Sequence, residues 1–111
     1  MVTTADIEAM QNIVRILLRH VPGDAREVQM EANFLISKEG DVATRMCEYI
    51  SKNGEKISFR ITNGIDSLDI LKSLKKHKEF LIASDAGEWK VFYLTVNCET
   101  GKVTLNLKYE E

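Results

Sequence analysis

From Glu27 to Ile36 the chain alternates residue by residue between polar and apolar side chains. Val28, Met30, Ala32, Phe34 and Ile36 fall on one side, and Glu27, Gln29, Glu31 and Asn33 on the other. Successive side chains of a strand point to opposite faces, so this period of two predicts a strand with one face buried and one wet. A chain built around such a strand needs partner strands and an apolar cover for the inner side.

The flanking segments supply both. Before the strand, apolar residues recur at the helical period: Ile7, Met10, Val14, Leu17 and Val21, with Ile13 and Leu18 widening the stripe. Thr4 is placed to cap that helix, Asp6 suits its positive end, and Pro22-Gly23 stops it. After the strand, Lys38-Glu39-Gly40-Asp41 reads as a turn, and Val42, Thr44, Tyr49 and Ile50 favour a second strand. Asn53-Gly54 is a strong hairpin signal, because both residues tolerate positive φ. Ile57, Phe59 and Ile61 then alternate as a third strand.

Asn63-Gly64 ends this meander. Asp66 is expected to cap a second helix, with Asp69 as the capping-box acid. Leu68, Leu71, Leu74, Lys78 and Leu81 mark the inner face of that helix, with Lys78 expected to snorkel outward, and Lys72, Lys75, Lys76 and His77 crowd its surface. Asp85-Ala86-Gly87 is a loop. Glu88 to Asn97 reads as a strand with Trp89, Val91, Tyr93 and Thr95 on one face and Phe92, Leu94 and Val96 on the other. A turn at Glu99-Thr100-Gly101-Lys102 leads to a last strand, with Val103, Leu105, Leu107 and Tyr109 on its apolar side. The order is α-β-β-β-α-β-β, an α+β class with two helices on one face of a five-stranded antiparallel sheet. At 111 residues the chain fits a single domain, 1–111.

The chemistry-bearing residues are sparse. His20 and His77 have no Cys, His or carboxylate at a metal-ligand spacing, and Cys47 and Cys98 do not form a Cys-x-x-Cys pair. Each glycine is isolated at a turn, so no phosphate-binding loop is present and no cofactor is implied. A nucleophile built from Cys47 and His77 is a remote alternative, since neither sits on a Gly-flanked turn that would expose it. No apolar run reaches a membrane span and no secretory signal opens the chain, so a cytoplasmic location with reduced thiols is expected.

Two surfaces remain as binding candidates. The wet side of the first strand carries Glu27 and Glu31, fit for a basic protein. Lys72, Lys75 and Lys76 form a basic alternative, fit for an acidic partner or nucleic acid. The formal charge of −2 argues against a dedicated nucleic-acid binder.

The C-terminal third carries a pattern: Trp89 opening a strand, Tyr93-Leu94-Thr95-Val96, Thr100-Gly101-Lys102-Val103, then Asn106-Leu107-Lys108-Tyr109-Glu110. This run resembles the closing hairpin of the YezG-type bacterial immunity proteins, associated with contact-dependent growth inhibition. The front end is similar in layout, with a helix ending in Val21-Pro22, an acidic strand and a hairpin. The resemblance implies an antitoxin without enzymatic activity that binds a cognate toxin, a basic nuclease domain, one to one. It also implies anchors at Trp89 and Tyr93, with Glu27 and Glu31 or the Glu110-Glu111 tail at the rim of the interface. Pairing of two copies through a sheet edge is compatible with this layout.

Overall fold

The alternating segment becomes the middle strand of the molecule. The computed structural model describes residues 4–35, 38–40 and 42–109. Ile36, Asp41 and the Glu110-Glu111 tail lie outside the described residues. The elements are α1 (Ala5–His20), β1 (Ala25–Leu35), β2 (Val42–Ser51), β3 (Lys56–Phe59), α2 (Gly64–Ala83), β4 (Val91–Asn97) and β5 (Val103–Lys108). This is the expected α+β order, and the sheet runs β3-β2-β1-β4-β5 with every neighbouring pair antiparallel. β1, β2 and β3 form the meander and β4-β5 a hairpin. α2 carries the chain from the β3 edge across to β4, on the far side of β1.

One side of the sheet is buried. Val28, Met30, Ala32 and Phe34 of β1 share it with Phe92, Leu94 and Val96 of β4. They pack against Ile13, Ile16 and Leu17 of α1 and Ile70 and Leu74 of α2. Apart from Ala32, each such burial is worth roughly 1.5–3 kcal/mol, so this side holds the fold together. The inner stripe of α1 is rotated from its expected position. Ala9, Ile13, Ile16 and Leu17 are buried, Met10, Val14 and Val21 flank them half-buried, and Ile7 and Leu18 are exposed. The reason is that α1 packs on both the sheet and α2, which favours the Ile13–Leu17 ridge over the apolar residues at its margins.

The helix ends differ from expectation in their caps. Thr4 occupies the N-cap of α1, but its hydroxyl donates to the Asp6 carboxylate and makes no cap bond. Asn63, not Asp66, caps α2. Its side-chain oxygen accepts from the amides of Ile65 at 3.0 Å and Asp66 at 3.2 Å. Asp66 is freed to tie the helices together, 2.7 Å from His20 and 3.3 Å from Arg19 at the end of α1. The positive end of α2 thus meets the negative end of α1, with basic side chains between them. Further along, Asn12 donates to Ser73 at 2.8 Å. Asn63→Ala is expected to lower stability by about 1 kcal/mol, the usual worth of an N-cap, with a matching fall in the urea midpoint.

Two tight places require glycine. The β2-β3 loop closes with Gly54 donating to the Ser51 carbonyl and Ser51 to the Glu55 carbonyl. Gly54 sits at φ +85°, whereas Asn53 does not adopt positive φ. The loop is therefore the three-residue kind ending in a left-handed glycine, rather than a two-residue turn with both positions left-handed. Gly87 sits at φ +96°, and a Cβ there would meet the Tyr109 ring at 3.1 Å.

Candidate functional site

Because both helices lie on one side, the other side of the sheet is left bare, and register determines what it displays. Glu31 lies between Met46 of β2 and Tyr93 of β4, and Gln29 between Glu48 and Thr95. Glu27 lies between Ile50 and Asn97. The edge strands add Lys56 and Ser58 on one side and Thr104, Asn106 and Lys108 on the other. Among the described residues the carboxylates of this face stand only on β1 and β2, and its lysines only on β3 and β5. The result is an acidic centre between two basic edges, and charged edges also discourage pairing with stray strands.

The central side chains are held by one another. The Tyr93 hydroxyl donates to the Glu31 carboxylate, and Gln29 donates to Glu27 at 2.7 Å. Lys56 lies 3.9 Å from Glu48, and the Lys108 ammonium sits 5.2 Å above the Tyr93 ring. Accepting that hydrogen bond, Glu31 keeps the phenol protonated and pushes it above the tyrosine range. Tyr93 is thus held in place by Glu31, and Met46 beside Glu31 is about half exposed at 52%. An acidic centre that also presents Met46 and Tyr93 suits recognition of a basic protein.

The structure separates the residues expected here. Glu27, Glu31 and Tyr93 lie on the same bare face. Trp89 does not: it is fully buried on the helix side, its indole N–H donating to His77 Nδ1 at 3.0 Å. The cause is that β4 begins only at Val91, so the side-to-side alternation of the strand does not reach back to Trp89. Met46 and Glu48 belong to the face although the residues alone did not single them out. Strict alternation through Arg45, Cys47 and Tyr49 is the signal that could have found them.

The basic alternative is thinner than expected. Lys78 leaves the surface altogether, and His77 is buried rather than exposed. Lys72 and Lys76 remain exposed, but Asp69 and Glu79 each stand three residues from one of them, giving a mixed, solvated surface with Lys75. Leu68, expected on the inner face of α2, is 48% exposed beside the sheet edge.

Burial pushes the Cys47 thiol up despite nearby Arg45, and burial with Glu27 and Glu99 does the same for Cys98. Both therefore stay protonated near neutral pH, the opposite of an activated nucleophile. Burial holds His77 below the usual imidazole range, and its neighbours are the rings of Trp89 and Phe92. Among the described residues no group of His, Cys, Asp and Glu is arranged to hold a metal ion, and no helix is long and apolar enough to cross a membrane. No protein-family model matches the chain, and no curated protein matches it.

Proposed function

We propose that this chain is a non-enzymatic binding protein that docks a basic protein on the bare face of its sheet. We further propose that it acts as an immunity protein, neutralising a toxin domain of the nuclease type one to one in the cytoplasm. The observation that carries this reading is the grouping of Glu27, Glu31 and Glu48 on the two adjoining strands β1 and β2, around half-exposed Met46 and hydrogen-bonded Tyr93. The sheet behind them is held by the core, so little order is lost on binding, which favours affinity. A nuclease domain presents the basic surface with which it grips phosphates, and an acidic centre is complementary to it. The resemblance of the β4-β5 hairpin to YezG-type immunity proteins points the same way.

The test is co-expression with the polypeptide encoded beside this chain, followed by affinity purification and a viability count. A one-to-one complex with growth rescued only in its presence is the expected result. Reversing Glu27, Glu31 and Glu48 to Lys should slow association about tenfold or more at low salt and weaken its salt dependence. Unchanged kinetics would move the interface off this face. Loss of binding on Lys72→Glu and Lys76→Glu instead would favour a regulatory or adaptor module built on α2.

A further inference from the structure

The opposite side of the sheet has an opening of its own. Two helices, each about 10 Å across, cover roughly four strands spaced about 4.8 Å apart. At the β3 edge of this five-stranded sheet the cover runs out, leaving a cavity of about 750 Å³ between β2, β3 and the first half of α2. Phe59, Ile61, Leu68, Leu71 and Leu74 give it an apolar part, with the Cys47 thiol also lining it. That volume lies within the usual range for small-molecule sites.

Two guanidinium groups line the same cavity, Arg45 and Arg60. Arg45 faces the helix side because it stands opposite buried Ala32 in the β1-β2 register, a position where an apolar residue is the rule. It donates to Ser67, to the hydroxyl at 2.7 Å and to the carbonyl at 3.3 Å. Neither arginine forms an ion pair among the described residues. Charges beside apolar walls are normally matched by an opposite charge, and arginine matches a carboxylate with a planar fork of donors. The amides of Ile65 and Asp66 at the start of α2 are already taken by Asn63, so the anion would be held by the side chains.

We propose that this cavity binds a small organic carboxylate with an apolar body, the carboxylate held by Arg45 and Arg60 and the hydrocarbon by Phe59, Leu68 and Leu71. The site is separate from the acidic face, which lies across the sheet.

Isothermal titration with decanoate below its micelle concentration tests this, with acetate and decyltrimethylammonium as comparators. Decanoate should saturate one site, while acetate lacks the apolar body and decyltrimethylammonium carries the wrong charge, so both should bind at least tenfold more weakly. Arg60→Gln, at an exposed residue with no ion pair among the described residues, should leave the fold intact and weaken decanoate at least tenfold. Arg45→Gln should do the same, and Glu31→Lys should leave affinity within twofold. Amide NMR shifts on decanoate binding should fall on Gly64 and Ser67. Absence of saturable decanoate binding, equal binding of decyltrimethylammonium, or arginine variants within twofold of the parent would each overturn the proposal. Shifts confined to Met10, Val14 and Leu18 would also overturn it.

Discussion

Lys78→Ala is expected to lower stability by about 2–5 kcal/mol, the range for emptying a buried long side chain, although a lysine on a helix is ordinarily a dispensable surface residue. Lys78 is fully buried. Its stem packs in the core, and its ammonium donates to the Phe34 carbonyl, lies 3.6 Å from Glu88 and sits 5.1 Å from the Trp89 ring. The β1-β4 ladder ends at Asn33 and Val91, so Phe34 has no partner in β4, and the lysine serves its carbonyl there instead. Lys78→Met keeps the volume and removes the cost of burying a charge, but forfeits a charge-assisted bond worth about 1.5–3 kcal/mol. The two effects nearly cancel, so Lys78→Met should fall within about 1 kcal/mol of the parent. Urea midpoints of the two variants, beside Lys76→Ala as a surface control, measure this. A Lys78→Ala midpoint as close to the parent as that of Lys76→Ala would mean that the ammonium reaches water.

The same residue imposes a pH dependence. Burial pushes the Lys78 ammonium below the lysine range, more than Glu88 raises it. The unfolded chain holds that proton up to about pH 10.4, while the folded chain releases it earlier. Between those two values the unfolded state binds more protons, so stability rises with pH across that window. Relative to Lys78→Met, which has no proton to lose, the parent should gain stability there. A flat difference between the two would show that the lysine is not desolvated.

Periodicity made the elements legible, but not the places where contacts distant in sequence decide. The alternation around Val28–Phe34 gave the strand, its buried side and the acidic residues of its wet side. That β1 is the central strand, and that Met46 and Glu48 therefore adjoin Glu31 and Gln29, depends on pairing between segments with no mark of their partners. Lys78 fell at an apolar position of α2, yet whether its ammonium turns out to water or in to a carbonyl depends on Phe34, 44 residues away. Asn63 and Asp66 are both good caps. The choice depended on where the helix begins, and Asp66 found its partners in α1. Arg45 went unremarked because one arginine in an untidy strand signals nothing until register turns it toward the helices.

Trp89→Ala should be among the most destabilising single changes, about 3–5 kcal/mol, a large share of the roughly 5–15 kcal/mol that holds a domain of ordinary stability. The indole is fully buried, 5.4 Å from the Phe92 ring and 5.9 Å from His77, and its N–H is used on His77. Tyr93→Ala on the outer face should cost no more than about 1 kcal/mol, the scale of a cross-strand pair, while weakening partner binding. If Trp89 instead pointed outward as an anchor, the two variants would exchange roles, so denaturation and binding measured together discriminate the arrangements. Acid adds an independent reading, because His77 is held below its ordinary value of about 6.5 by burial. As pH falls from about 6.5 toward the folded value, the unfolded chain takes up a proton that the folded chain refuses, and stability drops until both are protonated. His77→Gln should abolish that component of the acid loss, whatever it costs in packing. If His77→Gln follows the parent through that window, the imidazole is not buried against Trp89, and the helix-side placement of the tryptophan falls with it.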